Sequence, residues 1–534
     1  MTKTTPTITT LSGAPEGFDA QLILKEIATS GGPVLHIARD DKRLAAMQAA
    51  LAFFAPDMPV VTFPAWDCLP YDRVSPNTDI SATRMATLAG LVHGMPAQYV
   101  LLTTLNAASQ KVPARSLLKE AAFSAQVDHR IDEEALRAFL VRMGFTQSPT
   151  VMEPGDYAVR GGIIDIFPPG QAGPIRLDLF GDVLDGARRF DPATQRTTEK
   201  LTEIELAPVS EVILDDAAIT RFRQNYRIEF GAAGTDDPLY EAVSAGRKHA
   251  GIEHWLGFFQ DDLETLFDYT GDATITMDDQ LPPARIARWD AIVDQYEARM
   301  HALSQKGRLD TVYKPAPPAS LYLDEAAWEA ATSAKRRLQF AALQQATGLG
   351  VTDAGGRLGR NFAPERQSES TNLFTALAVH IRDRMDHGPV VVASYSEGAR
   401  ERLTGLIEDE GLEGTIPVKD FAGVGKTGVH LAFWPLDHGF VTGDITVISE
   451  QDVLGDRLIR QTKRKRRAEN FLSEANSLAP GDLVVHVDHG VGRFQGMEVV
   501  TALGAAHECL LLEYAEQAKL YLPCLLYTSD AADE

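Results

Sequence analysis

Cysteine is scarce in this chain. Cys68, Cys509 and Cys524 are scattered over 534 residues, which excludes a disulfide framework and a paired-thiolate metal site and suits a reducing cytoplasm. Long apolar runs are absent too. None approaches the roughly 18 residues that a membrane-spanning helix needs, so no membrane association is expected. The amino terminus, "MTKTTPTITTLSG", is polar and has no apolar core of an export signal. Positive charge is also short: 51 Lys and Arg against 74 Asp and Glu leave a net charge of −23. Such a surface repels a nucleic-acid backbone, so any DNA contact must come from a local basic patch or a segment outside this chain. Protein partners suit it better.

What is present is ordinary globular composition, 44% apolar and 23% charged, over a length that calls for about three or four domains. Residues 1–122 alternate helix and strand: "PVLHIA", then "DDKRLAAMQAALAFF" behind an Asp cap, "PVVTFP", "SATRMATLAGLVH" and "YVLLTT". Apolar strands alternating with helices predict a parallel sheet covered on both faces. From 123 to 208 the texture becomes strands with Gly and Pro turns ("GDYAVRGGIIDIFPPG", "GPIRLDLFGD"), an inserted α+β module. The α/β pattern resumes over 209–305. Residues 306–365, with "KPAPPAS", read as a linker. A further small α/β domain follows at 366–455 and a connecting helix at 456–476, with the basic run Lys463–Arg467. From 477 onward period-two alternation with Gly turns suggests a small β-barrel.

Two motifs invite chemistry. "FAGVGKTGVH" (421–430) ends like a phosphate-binding loop, but Asp420 stands where the first glycine belongs and "VHLAFWPL" reads as strand where a helix is required. A turn with an exposed Lys426 is the better reading, and no acidic motor box accompanies it. In "LAPGDLVVHVDHGVGRFQGM" (478–497), His486, Asp488 and His489 fall close together, with His507 and Cys509 further on. The spacing matches no standard zinc pattern, so a polar strand face running into a glycine turn is favoured. No catalytic or metal-ligating set is expected. The basic run spreads around its helix without forming a stripe. Arg160 and Arg176 stand beside apolar strands, with Phe180 close by. Arg with an aromatic is a frequent composition at protein interfaces, and surface salt bridges would account for the arginines equally well.

Several stretches taken together resemble the bacterial transcription-repair coupling factors: "FPAWDCLPYDRVSPNTDISATRMATL" (63–88), "VMEPGDYAVRGGIIDIFPPG" (151–170), "RLDLFGDVLDGARRFDPATQRT" (176–197), "GIEHW" (251–255) and "VISEQDVLGDR" (447–457). "GDLVVHVDHGVGRFQGM" with "LLLEYAEQAKLYLP" resembles the RNA polymerase-interacting domain of that family, related to the CarD regulators. The resemblance implies a multidomain α/β fold. Its parts would be a degenerate UvrB- or helicase-like parallel domain that has lost its nucleotide site, an inserted UvrA-binding module, a small α/β domain, and a CarD-like barrel of SH3/Tudor type. Carried over position by position, it implies UvrA contacts at Arg160, Arg176 and Phe180, with neither arginine needed by the fold. It also implies contact with the RNA polymerase β subunit along an edge strand at Val499, Val500 and Thr501. ATP, Mg and double-stranded DNA belong, in that family, to translocase domains that have no counterpart in this sequence, and no cofactor is expected here. The tail "CLLYTSDAADE" departs from the family pattern, as a truncated end would. Two rival readings stand beside this one. A UvrB-like helicase lacks its phosphate loop, and a CarD-like regulator accounts only for 478–523.

Alternation gives the polymerase contact a test. If "MEVVTAL" is an edge strand with Val500 outward, Val500→Arg should weaken β-subunit binding and leave the melting temperature nearly unchanged, whereas Val499→Arg should damage the barrel core. The opposite pattern would place the register one residue away. Unaffected binding in both variants would place the contact elsewhere.

Overall fold

A computed structural model describes residues 8–121, 123–231, 237–304, 313–346, 348–368, 370, 372–455, 483–486, 490–502, 505–514 and 518–523. The frame is a seven-stranded, wholly parallel sheet. Its strands, in spatial order, are Val351–Asp353, Thr9–Ser12, Arg337–Ala341, Thr274–Asp278, Val34–Ala38, Val100–Thr104 and Val60–Phe63. Every residue of Val34–Ala38, Val100–Thr104 and Thr274–Asp278 is buried, as expected of strands covered on both faces. Helix Asp41–Phe54 begins where Asp40 accepts a hydrogen bond from the Arg43 amide, the cap expected from the sequence. No helix among the described residues is long and apolar enough to cross a membrane.

The linker reading of 306–365 is corrected here. Strand Arg337–Ala341 sits inside the seven-stranded sheet, between Thr9–Ser12 and Thr274–Asp278, and helix Glu325–Thr332 packs Trp328 into the core below it. The prolines do not mark a free tether, because the Lys314 carbonyl accepts from Trp255 Nε1 at 2.9 Å and Ala316 is buried. Arg337 and Gln339 disguise the strand's apolar period, and Arg337 is neutralised in place by Glu329 at 2.8 Å. Strand Thr9–Ser12 was hidden in the same way, by its threonines.

The inserted module is a six-stranded sheet that runs in chain order from Thr146–Gln147 to Thr197–Leu201, antiparallel except for its first pair. One face packs under helix Glu133–Arg142 with Ile164, Ile166, Ile175 and Leu177. A single buried ion pair ties the module's return to the frame. Arg84, on helix Thr78–His93, donates from Nε and Nη2 to both oxygens of Glu211, at 2.7 and 3.1 Å. Trp66 Nε1 donates to the same carboxylate at 2.7 Å, the Pro64 carbonyl takes Arg84 Nη1 at 2.9 Å, and the guanidinium lies 4.2 Å from the Phe63 ring centre.

The second α/β unit begins before 366. Strand Arg357–Leu358 pairs with Phe440–Val441 at the edge of a six-stranded sheet whose parallel centre is Thr446–Ser449, Val390–Ser394, Val429–Phe433 and Ile416–Val418. This unit shares one hydrophobic core with the frame. Helix Asp41–Phe54 lies between them, with Phe53 stacked on Trp434 at 4.6 Å and Phe54 edge-on to Phe421 at 5.2 Å. Beyond it, Leu483–His486, Gly490–Ala502, Ala505–Glu513 and Lys519–Pro523 form a four-stranded antiparallel sheet in chain order.

Removing one member of a buried pair leaves the other charge uncompensated. Arg84→Ala should therefore cost about 3–5 kcal/mol of unfolding free energy, while Arg84→Met combined with Glu211→Leu should cost far less. Urea denaturation followed by tryptophan fluorescence checks both. A fully stable Arg84→Ala would show that the pair does not hold the junction.

Candidate functional site

The inserted sheet has a second face, opposite its core, and register decides what stands on it. Arg160 pairs with Ile163, Ile163 with Asp178, and Asp178 with Gly186. One row along, Ala158 pairs with Asp165, Asp165 with Arg176, and Arg176 with Arg188. Residues directly opposite in antiparallel strands share a face, and Phe180, two residues past Asp178, joins them. Arg160, Arg176 and Phe180 therefore stand together on one face.

Their surroundings differ. Phe180 is 81% exposed at the end of strand Ile175–Phe180, and Ile163 beside it is 38% exposed. An aromatic held this far into water at a strand end has the exposure and composition of an interface anchor. Arg160 is exposed and donates to the Pro149 carbonyl. Arg176 is another case, because its side chain is built into the sheet. Its Nε and Nη2 donate to the two oxygens of Asp165 at 2.7 and 2.8 Å, and its guanidinium sits 4.7 Å from the centre of the Phe190 ring. The Asp165 hydrogen bonds hold the Arg176 guanidinium more firmly protonated than usual. Arg188 and Asp178 form a neighbouring pair at 3.1 Å. Reading the sequence passed over Ile163, Asp165, Asp178 and Arg188. For Ile163 and Asp165 the signal was the Gly161–Gly162 turn, which sets the register of "AVRGGIID" and so brings them onto the face of Arg160; Asp178 and Arg188, on later strands, had no such local signal.

No nucleotide cradle accompanies this face among the described residues. Around "GVGKTG" the chain makes a short 3-10 turn at Phe421–Gly423, exposes Lys426 and enters strand Val429–Phe433. A phosphate loop needs a helix there. The strand–loop–helix order does occur elsewhere, from Thr9–Ser12 through Gly13–Gly17 to helix Phe18–Ser30. There the Gly17 amide donates to Asp19 at 3.0 Å, and the Phe18 and Asp19 amides donate to the Pro15 carbonyl at 3.1 and 3.2 Å. Gly17 lies against Phe440, Leu436 and Trp434 so closely that a Cβ would meet Phe440 at 2.9 Å. Asp19 is ion-paired with buried Arg43, and burial pushes its carboxyl up to about 7 against the pull of Arg43. A carboxylate and an apolar plug occupy the place of a phosphate, so these residues do not fit ATP.

At the other end of the chain, Val499, Val500 and Thr501 lie in strand Gly490–Ala502 opposite Glu508, His507 and Ala506. Among the described residues, strand Leu483–His486 pairs with Gly490–Arg493. Over 496–502 the second edge therefore meets no strand among the described residues. The side chains of Val499, Val500 and Thr501 lie outside the described residues, as do Asp488, His489 and the basic run 463–467. Among the described residues no cluster of His, Cys, Asp and Glu could hold a metal.

The described residues thus comprise a parallel α/β frame in which no nucleotide cradle is seen, an inserted module with an exposed Arg/Phe face, and a small β domain. Comparison with known families gives the modules names: residues 123–211 match the UvrB interaction domain and 478–525 the CarD-like/TRCF RID domain. The transcription-repair-coupling factor of Escherichia coli K12 is 32% identical over 96% of this chain and 44% of its own length. That of Rickettsia bellii is 29% identical over 92% and 42%, and that of Bacillus subtilis 24% over 88% and 40%. The chain belongs to the transcription-repair-coupling-factor family along the stretch it spans, less than half the length of these relatives.

The occupied loop yields a direct expectation. The purified chain should hydrolyse ATP no faster than buffer, with or without DNA, and Lys426→Ala should change nothing. Turnover that disappears in that variant, in a coupled phosphate-release assay, would restore "GVGKTG" as a nucleotide site.

Proposed function

We propose that this chain is the docking part of a transcription-repair coupling factor, which joins RNA polymerase stalled at a DNA lesion to the excision-repair protein UvrA. The observation that carries the reading is the face of the inserted sheet, where Phe180 and Ile163 are exposed between Arg160 and the Arg176–Asp165 and Arg188–Asp178 pairs, in the module that matches a UvrB interaction domain. An anchor ring among oriented guanidinium groups suits a partner that offers an apolar pocket with an acidic or carbonyl rim. The small β domain supports the second contact, with the RNA polymerase β subunit, by addition to the edge at 496–502, which meets no strand among the described residues. In this reading the work takes place in the cytoplasm. ATP, Mg and double-stranded DNA are handled by parts of such proteins beyond the stretch that this chain spans.

The test uses two variants and two partners. Phe180→Ala removes an exposed ring, so its melting temperature should match the parent, while UvrA capture should fall by about 2 kcal/mol or more, the scale of an interface anchor. Binding to the RNA polymerase β subunit should be untouched by Phe180→Ala and lost with Val500→Arg. Full UvrA binding by Phe180→Ala would overturn the docking assignment. Polymerase binding without any UvrA binding by the parent chain would favour a CarD-like regulator.

A further inference from the structure

Resting on the reading that this face receives UvrA, we propose that Asp165 is the positioning residue of the contact. It does not touch the partner; it holds Arg176 in the one orientation in which Arg176 can. The Asp165 side chain is 3% exposed, whereas that of Arg176 is 22% exposed. A nearly buried carboxylate facing a partly open guanidinium leaves only the guanidinium within a partner's reach.

Two constraints fix that guanidinium. The fork-to-fork hydrogen bonds to Asp165, at 2.7 and 2.8 Å, set its direction in the plane, and the Phe190 ring 4.7 Å away sets its tilt. Phe190 is itself 1% exposed and packed with Val151, Ala158 and Phe167, so the ring is a fixed platform. Of the five N–H groups of an arginine, the fork uses the Nε donor and one on Nη2. The Nη1 edge remains to meet a carboxylate or carbonyl from outside. An arginine held this way loses little conformational freedom on binding, which a free surface arginine would have to give up.

The charges on the face make the same distinction. Arg176 and Arg188 are each matched by an acid of their own, Asp165 and Asp178, so neither offers the partner a net charge. Arg160, whose described partner is a carbonyl, has no acid paired with it among the described residues. Long-range attraction thus belongs to Arg160, and directed hydrogen bonding to the Asp165–Arg176 unit.

The experiment measures UvrA affinity and melting temperature for the whole chain in five variants: Asp165→Asn, Arg176→Ala, the double variant, Arg176→Lys and Phe180→Ala. Asp165→Asn should weaken binding about tenfold, the scale of a charge-assisted hydrogen bond lost, and the double variant should bind no worse than Arg176→Ala alone. Arg176→Lys keeps the charge beside Asp165 but cannot form the fork, so it should bind as weakly as Asp165→Asn. It also serves if Asp165→Asn melts early. Parent-like binding by Arg176→Lys, or additive losses in the double variant, would overturn the proposal. Parent-like binding by Phe180→Ala as well would instead remove the docking face from the UvrA contact.

Discussion

The junction at Arg84 and Glu211 governs where everything else in the N-terminal region can sit. Both side chains are out of water, at 0% and 1% exposure, and isolated charges at that depth would cost several kcal/mol each. They persist because each is satisfied: Glu211 by two guanidinium nitrogens and the Trp66 indole, Arg84 also by the Pro64 carbonyl and the Phe63 ring. That geometry admits one position for the chain as it leaves the inserted module, fixed relative to helix Thr78–His93 and to the edge strand Val60–Phe63. Gly170, with φ of 72°, comes so near Ala86 of the same helix that a side chain there would collide. With Ala82 of that helix packed into the module's core as well, the module is set firmly on the frame, and the face bearing Phe180 has a definite direction.

In the frame, the strand–loop–helix turn after the first strand is filled by the protein's own groups. The loop after the first strand holds Gly13 and Gly17 at positive φ, and its amides are used inside the protein: those of Gly13 and Ala14 donate to the Leu343 and Ala341 carbonyls and that of Gly17 to the Asp19 carboxylate. Arg43 balances Asp19 and Asp278 where a cation beside a phosphate would otherwise be wanted. Burial of Gly17 under Phe440 and Trp434 makes this loop part of the contact between the two α/β units.

Much of this was legible in the sequence, for identifiable reasons. The strands Val34–Ala38 and Val100–Thr104, the Asp40 cap and the strand after Lys426 follow from apolar runs, capping chemistry and the missing first glycine. Strands Thr9–Ser12 and Arg337–Ala341 were not legible, because half-buried threonines and a glutamine, and a buried arginine, erase the period that marks a strand, and only their neighbours in the sheet define them. Arg160 and Phe180 could be singled out from composition and family resemblance together. That Arg176 is built into the sheet could not, since its partner Asp165 lies on a neighbouring strand and pairing register is not written locally.

The shared core beneath helix Asp41–Phe54 has a consequence for dissecting the molecule. With Phe53, Phe54, Trp434, Phe18 and Phe440 in continuous contact, the two α/β units are not beads that can be cut apart. A fragment ending near 350 would lay this aromatic surface open to solvent, and one beginning at 366 would lack the strand Arg357–Leu358 that borders its own sheet. Folding of the two units is thus a joint event, and a truncation study that loses activity on removing either one measures the collapse of a common interior, not the role of the part removed.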